Sequence, residues 1–181
     1  MENDVKKVLI SSEQIAERTK EIANQIDKDY AGQTPILVGL LKGSVPFMAE
    51  LLKNVSIFCQ TEYMVVSSYQ GTQSTGEIKI VKDIDVSIKD RDIIIVEDIV
   101  DTGITLNTIV KLLKHRGARS VEIACLLNKE ARRVAPVDAK YIGFDIPDEF
   151  VIGFGLDYNE MYRNLPYVGV LKEEVYQRRG A

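Results

Sequence analysis

Apolar residues along this chain follow two rhythms. Ile15, Ile22 and Ile26 recur at helical spacing behind Ser11, which with Gln14 offers a capping box, so a helix is predicted to about Tyr30. Gly32 and Pro35 break it, and PILVGL (35–40) reads as a short buried strand. KGSVPFMAELLK (42–53) follows as loop and helix, with Pro46 acceptable in the first turn. IFCQTEYMVVSSY (57–69) and IKIVKDIDV (78–86) read as strands, separated by the small, polar, glycine-rich stretch 69–77, expected as a mobile loop.

DIIIVED (92–98) carries the strongest strand signal. TLNTIVKLLKHRG (105–117) is predicted as a helix, with Leu106, Ile109, Val110 and Leu113 on one face and Gly117 as its stop. SVEIACLLNK (120–129) returns to strand. Strands alternating with helices imply an α/β fold with a mainly parallel sheet covered on both faces. From about residue 135 the rhythm changes. KYIGFDIP (140–147), FVIGFGLDY (150–158) and YVGVL (167–171) are short strand-like pieces without long helices between them, expected to form a small appended subdomain.

With 181 residues and 45% hydrophobic content, one domain with a sizeable core is expected. Lys and Arg number 23 against 27 Asp and Glu, a net charge of −4, which argues against a protein built mainly to wrap nucleic acid. Cys59 and Cys125 sit among apolar neighbours; they could pair, but buried free thiols fit an isolated couple better. The lone His115, at the expected end of a helix, is read as a complement to the helix dipole rather than a catalyst. MENDVKKVLI is too short and too charged for a signal peptide, and no apolar run reaches membrane-spanning length, so a cytoplasmic location is expected.

The chemistry gathers where DIIIVED runs into IVDTGIT. Ligands of open α/β sheets bind beyond the carboxyl ends of the strands, where Glu97 and Asp98 are expected. The turn that follows opens a helix, whose free N–H groups and positive end suit a phosphate. Gly103 allows close backbone approach, and Thr102 and Thr105 add hydroxyls. Walker and dinucleotide fingerprints are absent. Three carboxylates beside an anion turn make sense if the ligand also carries ribose hydroxyls, a bound Mg²⁺, or a carbon that becomes positive. A phosphorylated sugar losing its anomeric leaving group supplies all three. A solvated acidic loop is the plain alternative for any single acid, but not for three placed between a buried strand and such a turn.

VEDIVDTGIT resembles the phosphoribosyl-diphosphate (PRPP) motif of type I phosphoribosyltransferases. LLKGS (40–44), SSY (67–69), LLNKEARR (126–133) and the stretch 148–171 resemble, in order, further segments of the hypoxanthine-guanine members. The resemblance covers about residues 36–171. It implies the type I fold over 1–181, with a core of about 11–135 and a hood of about 1–10 and 136–181. It implies transfer of the phosphoribosyl group from PRPP to hypoxanthine or guanine, giving IMP or GMP and pyrophosphate, with Mg²⁺ as cofactor.

Carried over residue by residue, the resemblance makes Asp101 the general base or acid at the purine's imidazole nitrogen. Glu97 and Asp98 would hold ribose hydroxyls and metal, and Asp157 the second Mg²⁺. Thr102, Gly103, Ile104 and Thr105 would cradle the 5′-phosphate. Lys42, Gly43, Arg163 and Arg133 would meet pyrophosphate, and in the family the peptide before the lysine is often cis. Lys129 would donate to the 6-oxo group, Phe150 would stack on the purine, and Val151 would offer backbone contacts. Ser68 and Tyr69 would ride on a closing loop. The expected partners are these small molecules and further copies of the chain, as a homodimer or homotetramer, with neither nucleic acid nor membrane. The rival reading is a PRPP-fold RNA-binding attenuator of a pyrimidine operon, whose signature would be a basic face and a different hood.

Overall fold

The computed structural model describes residues 1–68 and 78–177. The expected mobile loop, with Tyr69, lies outside the described residues. Helix α1 (Ser12–Asp29) starts at the predicted capping box: Gln14 N–H donates to Ser11 Oγ at 3.3 Å and Ser11 N–H to Gln14 Oε1 at 2.8 Å. Its buried face carries Ile15, Ile22 and Ile26. Strand β2 (Ile36–Leu40) is buried throughout and leads into α2 (Val45–Asn54), with Pro46 in its first turn. Strand β3 (Gln60–Ser68) begins three residues later than the apolar pattern suggested. The chain first passes Ser56 and Ile57, whose N–H groups donate to the Asp27 carboxylate.

Strand β4 (Ile78–Lys82) is shorter than expected, β5 (Asp92–Val100) runs past both acids, and α3 (Ile104–His115) ends at its lone histidine. Strands β6 (Ser120–Asn128) and β7 (Tyr141–Asp145) complete a six-stranded sheet of order β4-β3-β2-β5-β6-β7. All its neighbours are parallel except β4, which lies antiparallel to β3 at the edge.

Period-two alternation divides the core. Leu37, Ile94, Val96, Ala124 and Leu126 point to one face, where α1 and α2 supply Ile22, Ile26, Phe47 and Leu51. Ile36, Val38, Ile93, Ile95 and Ile123 point to the other, under Leu106, Ile109 and Leu113 of α3. A strand buried on both sides reads as a continuous apolar run, which is why β2 and β5 are so plain in the sequence.

A second sheet forms the hood: β1 (Val5–Ile10), β9 (Val168–Leu171) and β8 (Val151–Ile152), antiparallel in the order β1-β9-β8. The expected boundary moves. KYIGFDIP contributes β7 to the main sheet, parallel to β6, so the hood begins after residue 145. FVIGFGLDY makes only a two-residue strand, because Gly153, Phe154 and Gly155 take φ of 94°, 46° and 100°, outside any strand conformation. A short helix, α4 (Glu173–Gln177), follows β9. Among the described residues no helix is long and apolar enough to cross a membrane. Cys59 and Cys125 are free, and burial pushes the Cys125 thiol up to about 12.

Candidate active site

The carboxyl end of β5 and the start of α3 form one continuous structure. Gly103 stands at the N-cap of α3 with φ 78°, and no side chain caps this end among the described residues. The first helical bond runs from Asn107 N–H to Gly103 C=O at 2.9 Å. The amides of Ile104, Thr105 and Leu106 therefore precede the helix ladder, as an anion cradle requires. A side chain at Gly103 would collide with its support: an ideal Cβ falls 2.9 Å from Val137 Cγ2 and 3.0 Å from both Ala135 O and Arg133 Cδ.

That support corrects one expectation. Arg133 does not face the site. Its guanidinium donates to Asp101 O (3.0 Å), Val137 O (3.0 Å), Val100 O (3.3 Å) and Asn128 Oδ1 (2.6 Å). All three nitrogens are thus committed behind the turn, leaving no fork for pyrophosphate. Thr102 C=O also accepts from Val134 and Ala135 N–H, so the 130s segment holds the turn from beneath.

In front of the turn, a cleft of about 290 Å³ is lined by Asp98, Ile99, Asp101, Lys129, Arg132, Phe150, Val151, Leu156 and Asp157. Six of these are residues that the motifs had singled out. A larger hollow of about 420 Å³ between α3 and β6, lined by Lys111, Lys114 and Glu122 among others, gathers none of them. Among the described residues Asp101 Oδ1 is buried without a hydrogen-bond partner, and Arg132 Nε lies 3.7 Å from it. Lys129 is buried, and its ammonium donates to Glu149 C=O at 2.8 Å with Asp148 at 3.7 Å. The base side of the cleft thus has a desolvated donor on one wall and the half-exposed Phe150 ring on another.

Glu97 and Asp98 are hydrogen-bonded to each other. Burial first, then the charge of Asp98, pushes the Glu97 carboxyl well above the usual range. Burial also raises Asp98, although the Glu97 bond and its own-strand Ile99 N–H, at 2.8 Å, pull it back. Among the described residues the buried Glu97 Oε2 has no hydrogen-bond partner.

The pyrophosphate candidates stand beside this pair. The Leu41–Lys42 peptide is cis. Gly43 packs against the Asp98 carboxylate, and an ideal Cβ at Gly155 falls 2.0 Å from Gly43 O, so the hood rests directly on this loop. Arg163 pairs with Asp157 at 2.8 Å and Glu160 at 3.3 Å, and donates to Gly155 C=O at 2.7 Å. Lys42 Nζ meets the other oxygen of Glu160 at 2.7 Å. Ser68 ends β3, and Tyr69 lies outside the described residues.

A family profile described as "Phosphoribosyl transferase domain" matches residues 9–159. The chain belongs to that family. Among phosphoribosyl transferases, it is 56% identical over 179 residues (98% of this chain, 99% of the relative) to one from Streptococcus agalactiae serotype V named hypoxanthine-guanine phosphoribosyltransferase. A solved hypoxanthine phosphoribosyltransferase from Staphylococcus aureus superposes with a TM-score of 0.95 at 51% identity, covering 97% of this chain and 96% of that one. A Trypanosoma cruzi hypoxanthine phosphoribosyltransferase, solved with the product IMP, superposes with a TM-score of 0.93 at 37% identity, covering 98% and 97%. The phosphoribosyl transferase fold expected from the motifs is thus the observed one, and the RNA-binding attenuator finds no support.

Sequence reading missed Ile99, Arg132, Leu156 and Glu160. Ile99 lies between two acids of the motif, and its exposure to the cleft follows only from the course of β5. Glu160 follows Asp157 in DYNE, but its positive φ of 62° and its contacts with Lys42 and Arg163 depend on the hood's fold.

Proposed function

We propose that this enzyme transfers the 5-phosphoribosyl group from PRPP to hypoxanthine or guanine in purine salvage, giving IMP or GMP and pyrophosphate. The reading is carried by one juxtaposition: Asp101, with an unpartnered buried oxygen, lines the same cleft as the buried Lys129 and the Phe150 ring.

The 5′-phosphate is held on the amides of Gly103–Thr105 and the hydroxyls of Thr102 and Thr105, where the helix end favours negative charge. Asp98 and Glu97 face the ribose as its anomeric carbon turns cationic. The bond from that carbon to pyrophosphate oxygen breaks as the purine's imidazole nitrogen bonds to it, and Asp101 takes the nitrogen's proton. Help of this kind is worth on the order of 10²–10⁴ in rate. Lys129 donates to the 6-oxo group, Phe150 stacks on the ring, and Val151 meets its far edge. Lys42, Gly43 and Arg163 receive pyrophosphate, which must displace the Glu160 carboxylate now shared by the two cations. Ser68 and Tyr69 belong to the segment assigned to closing the site against water.

Mg²⁺ fits the donor set in a limited way. Among the described residues no group of three or more metal-ligating side chains exists. The unpartnered Glu97 Oε2 and the carboxylates of Asp98 and Asp157 suit an ion that needs only one or two protein ligands when substrate oxygens fill the rest. Bound there, it would neutralise charge on the leaving pyrophosphate. A cytoplasmic location and a homodimer or homotetramer complete the proposal.

The test compares kcat/KM for hypoxanthine, guanine, xanthine and adenine with PRPP and Mg²⁺. Turnover of the first two over adenine, with Lys129→Ala weakening 6-oxopurine use more than PRPP use, is the expected result. Equal losses for both substrates would remove Lys129 from the base site.

A further inference from the structure

An aromatic ring that stacks on a base presents one face to it. The other must be covered or solvated. Phe150 immediately precedes β8 and lines the cleft together with Val151, while Ile152 enters the hood core. Tyr176 of α4 stacks on the Phe150 ring, with centroids 5.2 Å apart and planes inclined by 23°. Tyr158 meets it edge-on, at 5.7 Å and 88°. Tyr176 packs with Tyr158 and Val175 against Ile152, Tyr162, Leu165 and Leu171, and it does not line the cleft. One face of Phe150 is thus taken by Tyr176, Tyr158 stands at right angles to the ring, and Phe150 is still 41% exposed and contributes to the cleft wall.

The start of α4 is itself anchored. Leu171 N–H donates to Phe150 C=O and Lys172 N–H to Asp4 C=O, both at 2.9 Å, and Lys172 Nζ donates to Asn3 C=O at 2.6 Å.

We infer that Tyr176 is a positioning residue for the purine: its ring backs Phe150, fixes the plane on which the base stacks, and makes base affinity depend on the C-terminal helix. This deepens the proposed function and rests on Phe150 as the stacking ring. A backing ring costs little conformational freedom, since Tyr turns about only two χ angles, and offset stacking of two rings favours one relative orientation.

The experiment measures KM for hypoxanthine at saturating PRPP, and KM for PRPP at saturating hypoxanthine, in the full chain carrying Tyr176→Leu, Tyr176→Phe, Phe150→Leu, or the Phe150→Leu/Tyr176→Leu pair. Tyr176→Leu is expected to raise KM for hypoxanthine roughly two- to tenfold, with kcat and KM for PRPP unchanged. Tyr176→Phe, which keeps the ring, should match wild type. The double variant should be no worse than Phe150→Leu alone, because the backing acts only through Phe150.

If Phe150→Leu raises KM for hypoxanthine and Tyr176→Leu does not, the inference fails while the stacking role of Phe150 stands. If Phe150→Leu changes nothing, the stacking role fails and the inference with it. Equal rises in both KM values, a fall in KM for hypoxanthine, or failure of Tyr176→Phe to restore wild-type values would each overturn the positioning role.

Discussion

The Asp98 carboxylate occupies the space that a side chain on Gly43 would need: an ideal Cβ at Gly43 falls 1.8 Å from Asp98 Oδ2 and 3.2 Å from Oδ1. The strand that carries the acids and the loop assigned to pyrophosphate are in direct contact here. Asp98 cannot yield freely, because Ile99 N–H and the Glu97 carboxyl hold it. Gly43→Ala is therefore expected to lower kcat/KM for PRPP by about 10²-fold through misplacement of reacting groups. Steady-state kinetics with PRPP as the varied substrate checks this, and near-normal kcat/KM would show that the loop accommodates the methyl.

Asp101→Asn keeps the size of the side chain but removes its ability to take a proton. Turnover should fall by roughly 10²–10⁴ while PRPP affinity is largely retained. Single-turnover rates together with PRPP titration separate the two effects. A kcat close to wild type would remove Asp101 from the proton transfer.

Arg133 offers a contrast, since its four acceptors all lie behind the phosphate turn. Arg133→Met preserves bulk and leaves those acceptors without their donor. We expect a loss of about 1–3 kcal/mol in stability and a larger rise in KM for PRPP than for hypoxanthine. Thermal melts and the two KM values test this, and a loss confined to pyrophosphate handling would return Arg133 to the front of the site.

These residues also show what the chain disclosed before its fold was known. The β5 motif and the α1 capping box were legible because both are local: adjacent residues bond to one another or share one turn. Arg133 was misread because an arginine near a phosphate site suggests a ligand, and only the path of residues 129–137 beneath the turn turns it away. Ile99, Glu160 and Tyr176 escaped notice because their roles arise where distant segments meet. The hood's limit was misplaced because β7 is as short as the hood strands, and its pairing with β6 is not encoded in its own five residues.

Far from the site, Asp92 opens β5 and is buried, with Arg119 and Ser120 bonded to its carboxylate. The Arg119 bond, the largest cause, holds its pKa below the ordinary 3.8. A depressed folded value means that the contribution is fully present above pH 3.8 and is lost as pH falls through the folded pKa. Asp92→Asn should therefore cost about 1–3 kcal/mol at neutral pH, with the gap from wild type closing below that ordinary value. Denaturant midpoints measured across pH would show this; a gap independent of pH would mean that packing, not charge, is what the carboxylate supplies.

The pairing of β1 with β9 joins Val5 to Leu171 across nearly the whole chain. At cellular synthesis rates, roughly ten to thirty seconds separate the appearance of those two residues. The sugar-phosphate half of the pocket, built from β5, α3 and the 130s segment, can be complete on the ribosome while β1 still waits for its partner. The purine half must come last, since Phe150 C=O is tied to Leu171 N–H. A nascent chain of this enzyme should accordingly form its hold on the donor's 5′-phosphate before the ring that stacks on the acceptor is in place.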